Sequence, residues 1–334
     1  MTDVNRCFVL HQRPSPHITH ETLRWVERPV PEPAEGEVLI RNSYLSLDPA
    51  NRGWMNERAS YVPAIPLGEV MRGATVGRVV KSRAPDFAEG DLVAGRGGYA
   101  EYSALPAEEL RAVPPGLEPR DILGPLGHIG LTAYFGLLDI GKPKQGETVV
   151  VSGAAGATGS LVVQIAKLKG CRVVGTAGSD AKCSYLTGEL GCDVAINYKT
   201  TESLVAALGQ SCPEGIDVFF DNVGGDVLDA ALANIAMRAR IVLCGGISQY
   251  NTDTPKGPAN YLALVIKRAS MQGFIVMDYL PRASEAMAEI VPWMRSGKLT
   301  FRYDVVEGLE HAAEALLRLF DGRNEGKLIV KIAD

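Results

Sequence analysis

A glycine-rich turn carries the clearest chemical signal in this chain. The apolar run at 148–152 (TVVVS) predicts a buried strand, the run 153–159 (GAAGATG) follows it, and an amphipathic stretch comes next. Ala154 replaces the first glycine of the usual Gly-x-Gly-x-x-Gly pattern. Glycines between a strand and a helix let backbone N–H groups and the positive helix end face a phosphate. The turn therefore predicts a site for the pyrophosphate of a dinucleotide; the alternative is a tight connection that binds no ligand.

The end of the second predicted strand indicates which dinucleotide is bound. Sites for NAD usually place an acidic residue about 20 residues after the turn, where it holds the free ribose hydroxyl. Gly178 stands at this place, and the cation Lys182 follows it. A small residue and a cation suit the extra phosphate of NADP, so we expect NADPH as the cofactor. The alternative is that Lys182 is an ordinary solvated lysine near a helix start.

Composition narrows the class of protein. The chain has 334 residues, of which 46% are apolar and 22% charged, and this is typical of a globular protein with room for two domains. A formal net charge of -5 argues against a nucleic-acid-binding role. The N-terminal sequence lacks the features of a signal peptide, and no apolar run reaches the ~20 residues of a membrane span. We therefore expect a cytoplasmic protein with no membrane partner.

The pattern along the chain predicts two domains. Residues 1–125 contain short β-like runs between turn signals, which predicts a β-rich domain or partial barrel. Six apolar runs then alternate with amphipathic stretches over residues 126–297, at 148–152, 172–177, 193–197, 217–220, 240–244 and 271–276. This alternation is typical of an α/β fold with a doubly wound parallel sheet. Residues 298–334 are expected to return to the first domain, with a strand-like run at 299–303, a helix at 309–320 and a strand at 327–332, leaving a ligand cleft between the domains.

Short motifs along nearly the whole chain match one family in the same order. They are 45–49 (LSLDP), 70–73 (VMRG), 151–159 (VSGAAGATG), 178–182 (GSDAK), 197–199 (NYK), 221–225 (DNVGG), 244–251 (CGGISQYN), 272–276 (QGFIV) and 322–327 (GRNEGK). The chain thus resembles the medium-chain dehydrogenase/reductase superfamily, in the zinc-free branch of alkenal/one double-bond reductases. The resemblance implies a Rossmann domain at 126–297 and a GroES-like β-rich domain made of 1–125 and 298–334.

The resemblance also implies which residues bind the cofactor. The 2′-phosphate of NADPH would be flanked by Lys182 and Tyr198, and the tail would contribute Asn324. The pyrophosphate would lie on the turn residues Gly156, Ala157, Thr158 and Gly159. The nicotinamide half would be held by Asn222, Cys244, Gly245, Gly246, Ile247, Ser248, Gln249, Tyr250, Phe274, Ile275 and Val276.

Tyr250 is the candidate catalytic residue. The resemblance implies that its phenol lies near the nicotinamide ribose and the substrate carbonyl, where it can donate a hydrogen bond to an enolate oxygen. The expected reaction is NADPH-dependent reduction of the carbon–carbon double bond of an α,β-unsaturated ketone or aldehyde. Alternatives on the same fold are quinone reduction and oxidation of an allylic alcohol. A third alternative is a non-catalytic NADPH-binding protein.

No metal is expected in this chain. Zinc-dependent relatives use a Gly-His-Glu run and an early cysteine, whereas this chain has Gly68-Glu69-Val70 and places Asp48 where that cysteine is expected. The six cysteines form no Cys-x-x-Cys pair, and none lies between Cys7 and Cys171, so we expect free thiols and no structural zinc lobe.

Two further expectations concern the substrate pocket and the assembly. Many relatives continue the Leu-Asp-Pro run with a tyrosine that lines the pocket, but here Ala50 follows Pro49, which opens space and removes a hydroxyl. The sequence also offers Trp54 and Tyr61 as residues that could refill the pocket. Relatives often form dimers edge to edge through the last strand of the nucleotide domain, so a homodimer through 272–276 is expected here.

Overall fold

The chain folds into two compact units. The computed structural model describes residues 4–57 and 60–333. Unit 1 contains the described residues up to Leu123, the short segment Asn251–Asp253 and the described chain from Tyr303 onward. Unit 2 contains Gly124–Tyr250 and Thr254–Arg302.

The elements follow one another in a β-rich, then an alternating, order. The strands are β1 (Val4–Leu10), β2 (Leu23–Pro29), β3 (Glu37–Ser46), β4 (Thr75–Ser82), β5 (Leu92–Gly95), β6 (Tyr102–Pro106), β7 (Arg111–Ala112), β8 (Thr148–Val151), β9 (Arg172–Ala177), β10 (Val194–Asn197), β11 (Ile216–Asp221), β12 (Ile235–Leu243), β13 (Ser270–Gly273), β14 (Tyr303–Glu307) and β15 (Lys327–Lys331). The α-helices are α1 (Ala50–Trp54), α2 (Pro119–Ile122), α3 (His128–Phe135), α4 (Ala157–Leu168), α5 (Asp180–Gly188), α6 (Leu204–Ser211), α7 (Gly225–Leu232), α8 (Ala263–Lys267), α9 (Ala283–Arg295) and α10 (Ala312–Asp321).

Unit 2 is built on a six-stranded parallel sheet in the order β10-β9-β8-β11-β12-β13. The central strand β8 is buried along its whole length, as expected of a strand covered by helices on both faces. Large apolar side chains on both sides of the sheet, such as Phe219 and Phe220 of β11, form two separate core clusters. The predicted α/β fold with a doubly wound parallel sheet is therefore confirmed.

Unit 1 contains the β-rich part of the fold. Its main sheet has the order β14-β15-β3-β4-β5-β7, with β6 also paired to β3, and β1 and β2 form a separate antiparallel pair. The long strand β3 is the centre of this sheet, because it pairs with β4, β6 and β15. The C-terminal strand β15 thus pairs with β3 and joins the sheet of the N-terminal strands.

One buried ion pair joins β15 to the segment that precedes α1. The ammonium of Lys327 donates to the Asp48 carboxylate and to the carbonyl oxygen of Leu47, at 2.8 Å in both cases. The hydroxyl of Ser46 donates to the second oxygen of the Asp48 carboxylate at 2.5 Å. Burial lowers the pKa of Lys327, while the nearby Asp48 carboxylate opposes this effect. The charges are compensated inside the core, which is the condition under which a buried lysine is tolerated.

Several predicted strands have different bounds in the structure, among them the runs at 271–276 and 299–303. The run at 271–276 was expected to be one strand, but β13 ends at Gly273 and a 3₁₀ helix occupies Val276–Arg282. The run at 299–303 was also expected to be a strand, yet β14 begins only at Tyr303. The reason is that Tyr303 is the first residue that pairs with β15, opposite Lys327. Both predictions used local apolar content, whereas the strand ends are set by where a neighbouring strand offers hydrogen bonds.

Among the described residues, none of the helices combines the length and the apolar character that crossing a membrane requires.

Candidate active site

The glycine-rich turn has the predicted strand–turn–helix geometry. β8 ends at Val151, and α4 begins at Ala157 with Gly156 as its N-cap. A Cβ atom built on Gly159 would lie 2.4 Å from the carbonyl oxygen of Gly153, so only glycine permits this close approach of helix and turn. The first N–H groups of a helix have no acceptor within the helix. The predicted residues Gly156, Ala157, Thr158 and Gly159 therefore form one helix N-terminus that can receive a phosphate.

A buried carboxylate, that of Asp221, organises the backbone beside this turn. Its Oδ1 atom accepts hydrogen bonds from the Ser152 hydroxyl at 2.7 Å and from the backbone N–H groups of Val223 and Gly224 at 3.0 Å each. Burial raises the pKa of Asp221, and the hydrogen bonds from Gly224, Ser152 and Val223 act in the opposite direction. The carboxylate joins the end of β8 to the turn after β11 without any cation.

Asn222 strengthens the same junction. Its backbone N–H donates to the Ser152 hydroxyl at 2.8 Å, and its side-chain amide donates to the Ser152 carbonyl oxygen at 2.7 Å. Asn222, which sequence reasoning assigned to the nicotinamide half of the cofactor, thus uses its side-chain amide nitrogen to hold the glycine turn.

The segment after β12 is fastened onto the Asp221 turn by its backbone. The N–H groups of Cys244 and Gly245 both donate to the Asp221 carbonyl oxygen, at 2.9 and 3.1 Å. Further along, the N–H groups of Ile247 and Ser248 donate to the carbonyl oxygens of the two residues after Asp221. Burial also raises the pKa of the Cys244 thiol to about 12, so this thiol is protonated at neutral pH. The structure therefore brings the predicted segment 244–250 next to Asn222.

Tyr250 folds back over the glycines of its own segment. Its hydroxyl oxygen accepts a hydrogen bond from the N–H of Gly246 at 3.2 Å. A Cβ atom built on Gly245 would lie 3.2 Å from the same hydroxyl, so a larger residue there would crowd the phenol. The hydroxyl of Tyr250 is thus held over the backbone that follows β12.

Gly178, at the end of β9, lies against the side chains of Tyr198 and Lys199. A Cβ atom built on Gly178 would lie 2.9 Å from the hydroxyl of Tyr198 and 3.3 Å from Cε of Lys199, so an acidic side chain would not fit there without displacing them. The Ser179 hydroxyl accepts the backbone N–H of Lys182 at 3.3 Å, which caps α5 and places Lys182 in its first turn.

The remaining predicted residues are divided between the units. Phe274 packs in the core of unit 2, where a Cβ on Gly136 would lie 2.5 Å from its ring, and Ile275 and Val276 lead into the 3₁₀ helix. Asn324 lies in unit 1 before β15, where its amide donates to the carbonyl oxygen of Gly326 at 2.9 Å. Asn324 thus belongs to unit 1, whereas the other predicted cofactor residues belong to unit 2.

Three residues of this site were missed by sequence reasoning. Asp221 and Ser152 were quoted only as parts of longer motifs, and Lys199 was quoted without a role. An acidic residue at the buried end of strand β11 (IDVFFD) was the available signal, because a buried carboxylate needs several donors. Lys199 offered no signal of its own beyond its place after Tyr198.

Unit 1 presents the residues expected to form the substrate pocket. Ala50 is the first residue of α1, and Trp54 is the last. The guanidinium of Arg52 is buried and donates to the side-chain oxygen of Asn251 at 3.0 Å, within unit 1. Because Asn251 directly follows Tyr250 in the chain, this bond fixes the backbone on one side of the candidate catalytic residue.

Comparisons with known proteins agree with this geometry. The family described as "N-terminal domain of oxidoreductase" matches residues 6–113, and "Zinc-binding dehydrogenase" matches residues 157–296. The NADPH-dependent curcumin reductase of Escherichia coli is 44% identical over 98% of this chain and 97% of its own length. A 2-alkenal reductase (NADP(+)-dependent) of Nicotiana tabacum is 43% identical over 91% of this chain and 89% of its own length.

The solved structure of CurA from Vibrio vulnificus in complex with NADPH is also similar. It shares 42% identity and a TM-score of 0.94 with this chain, over 98% of this chain and 99% of CurA. The chain belongs to the medium-chain dehydrogenase/reductase superfamily. Within it, the relatives place the chain in the branch of the NADP-dependent alkenal and prostaglandin reductases. The resemblance inferred from short motifs is therefore confirmed for this medium-chain dehydrogenase/reductase.

Replacement of Asp221 tests whether its carboxylate organises the site. In Asp221→Ala, the Ser152 hydroxyl and two backbone N–H groups lose their acceptor, so the free energy of unfolding should fall by about 2–5 kcal/mol. Asp221→Asn keeps one oxygen acceptor and should lose less. Urea unfolding followed by circular dichroism measures both changes. The exposed Asp226→Ala on α7 is the control, and an equal loss in the control would contradict the role assigned to Asp221.

Proposed function

We propose that this protein is an NADPH-dependent reductase of the carbon–carbon double bond in α,β-unsaturated ketones and aldehydes. The observation that carries the proposal is the junction of unit 2, where Asp221 and Asn222 fasten the segment of Tyr250 to the glycine-rich turn. The names of the relatives, which include 2-alkenal reductase and prostaglandin reductase 1, support the same reaction class.

The described residues fit the pyrophosphate and the 2′-phosphate of NADPH. The N-terminus of α4 offers N–H donors and a positive dipole to the pyrophosphate. Around Gly178, the Tyr198 hydroxyl and the cations Lys182 and Lys199 suit a 2′-phosphate better than a free ribose hydroxyl. When bound, NADPH supplies the hydride that adds to the β-carbon of the substrate.

Tyr250 stabilises the charge that develops on the substrate. As the β-carbon is reduced, negative charge collects on the conjugated carbonyl oxygen. The hydroxyl of Tyr250 accepts a hydrogen bond from the N–H of Gly246, and because a tyrosine hydroxyl can also donate, we infer that it turns its proton toward that oxygen when substrate binds. Tyr250 or a water molecule then delivers a proton to the α-carbon.

The reaction requires no metal in this proposal. Asp48 stands where zinc-dependent relatives have a cysteine. Its carboxylate accepts hydrogen bonds from the ammonium of Lys327 and the hydroxyl of Ser46. Among residues 4–57 and 60–333, no group of three or more His, Cys, Asp or Glu side chains could hold a metal ion. Conjugation of the double bond to the carbonyl places the charge on oxygen, where Tyr250 stabilises it in the manner of an oxyanion hole.

The protein is further proposed to act as a homodimer through the outer edge of β13. β13 is an edge strand of the parallel sheet, and an edge offers unpaired N–H and C=O groups to a second strand. Beside it, α8 exposes Val265 and Ile266, whose relative exposures are 73% and 70%. Met237, 52% exposed, extends this apolar surface, because its sulfur accepts a hydrogen bond from Arg268 after α8. An apolar surface of this kind next to an open sheet edge suits a second copy of the chain.

Lys182→Ala tests the assignment of the 2′-phosphate. Loss of a charge-assisted hydrogen bond should weaken NADPH binding by about 10–100-fold and leave NADH binding nearly unchanged. Fluorescence titration with both nucleotides measures the two dissociation constants. The exposed Lys298→Ala serves as the control. Equal weakening of NADPH and NADH in Lys182→Ala would remove Lys182 from the phosphate site.

Tyr250→Phe tests the catalytic assignment. Removal of one donor to the developing negative charge should lower kcat for a simple enone by on the order of 100-fold, with little change in the dissociation constant of NADPH. The exposed Tyr261→Phe is the matched control. Unchanged turnover in Tyr250→Phe would exclude the residue from the mechanism, and wild-type turnover of a quinone but not of an enone would contradict the proposed reaction.

Ile266→Glu tests the dimer. A charge on the exposed face of α8 should oppose burial against a second copy, so light scattering after size exclusion should show a monomer where the wild type shows a dimer. Val205→Glu, at an exposed apolar position of α6, is the control and should remain dimeric. A monomeric wild type, or a dimeric Ile266→Glu, would refute an interface at this edge.

A further inference from the structure

Asp180 is an acidic side chain close in the chain to the place assigned to the 2′-phosphate. It is the first residue of α5, and it follows Gly178 by two residues and the N-cap Ser179 directly. In sites that bind NAD, a carboxylate near this end of the second strand holds the free ribose hydroxyl. A carboxylate that could turn toward Gly178 would thus suit NADH and would repel the extra phosphate of NADPH. The choice of cofactor therefore depends on where the Asp180 carboxylate is held.

Asn197, the last residue of β10, holds that carboxylate. Its side-chain nitrogen donates to Oδ1 of Asp180 at 2.7 Å. Its side-chain oxygen accepts the backbone N–H of Lys199 at 3.1 Å. A backbone N–H can only donate and a carboxylate can only accept, so the two partners fix which way the amide points. One amide thus fastens the first residue of α5 to the turn that follows β10.

The turn after β10 is also held by its own backbone. The N–H of Tyr198 donates to the carbonyl oxygen of Ala177 at 3.1 Å, and the carbonyl oxygen of Asn197 accepts the N–H of Thr200 at 3.2 Å. These bonds keep the Tyr198 hydroxyl beside Gly178 and do not involve the side chain of Asn197. The distinct contribution of that side chain is therefore its bond to the Asp180 carboxylate.

The first turn of α5 carries two opposite charges, those of Asp180 and Lys182. The cation attracts a phosphate, and the carboxylate repels it. Residues two positions apart do not face each other on a helix, so Asp180 can bind the end of β10 while Lys182 points elsewhere. Release of Asp180 from β10 would let its charge offset that of Lys182 at the same end of the helix.

We propose that Asn197 is a positioning residue that sets the preference for NADPH over NADH. By binding the Asp180 carboxylate, it keeps that negative charge away from the ribose and leaves the place beside Gly178 to the phosphate and Lys182. This inference rests on the 2′-phosphate assignment proposed above. It adds a residue that acts on cofactor choice through Asp180 and takes no part in the transfer of hydride or proton.

The experiment measures the binding of adenosine phosphates, so it does not depend on turnover. Isothermal titration of the full chain compares 2′,5′-ADP, which carries the 2′-phosphate, with 5′-AMP, which lacks it. Asn197→Ala should weaken the binding of 2′,5′-ADP by about 10-fold, because the freed carboxylate repels the phosphate, and should not weaken the binding of 5′-AMP. The loss should shrink as the salt concentration rises, since salt screens the repulsion.

A second substitution separates this role from general support of the local fold. Asp180→Ala removes the carboxylate itself, so the double variant Asn197→Ala with Asp180→Ala should bind 2′,5′-ADP within about 3-fold of the wild type. Asn234→Ala is the matched control, because the Asn234 amide also makes two hydrogen bonds, to the carbonyl oxygens of Val205 and Ala230 at 3.0 and 2.9 Å. This control should bind both nucleotides as the wild type does.

The outcomes distinguish this inference from the reductase proposal. Unchanged binding in Asn197→Ala, equal weakening of both nucleotides, or a loss for 2′,5′-ADP that Asp180→Ala does not recover would each overturn the role of Asn197. None of these results touches the reductase proposal, which turnover of an enone with NADPH tests. Equal affinity of the wild type for 2′,5′-ADP and 5′-AMP would overturn the phosphate assignment, and the inference about Asn197 with it.

Discussion

One buried carboxylate determines the geometry of the nucleotide-binding unit. Asp221 accepts hydrogen bonds from the Ser152 hydroxyl and from the N–H groups of Val223 and Gly224, while its own carbonyl accepts two more from the segment after β12. The ends of β8, β11 and β12 therefore share one anchor. Burial still raises the pKa of this carboxylate, so the hydrogen bonds offset only part of the cost of removing its charge from water. In exchange for that cost, the carboxylate fixes the backbone at the ends of these strands.

The place of this anchor in the sheet explains why a site forms there. The chain runs outward from β8 through β9 to β10 and then returns to the other side of β8 with β11. The connections after β8 and β11 consequently leave the sheet in opposite directions, and the gap between them is where ligands of doubly wound sheets bind. Asp221 and Ser152 join the two sides of this gap at the backbone level. The glycine turn and the segment of Tyr250 are therefore held by the same group.

Local sequence patterns predicted the sheet and the turn but not the contacts that hold them. The six parallel strands and the start of α4 followed from apolar runs and glycines, since these are local properties. The early end of β13 and the late start of β14 depend on neighbouring strands, which no local pattern contains. The role of Asp221 depends on which distant groups surround its charge. Burial and pairing of a charge become visible only in the folded chain.

Two cations of unit 1, Lys327 and Arg72, show when such pairing is required. Lys327 is fully buried, yet Asp48 and the Leu47 carbonyl satisfy it, so its position is consistent with a purely structural role. Arg72 is less buried, but it has a carbonyl and an aromatic ring as partners and a second arginine nearby. The guanidinium of Arg72 is still partly exposed, so its charge needs no anion inside the fold. The contrast between the two cations is therefore one of burial: the fully buried charge requires an anion within the fold, and the partly exposed charge does not.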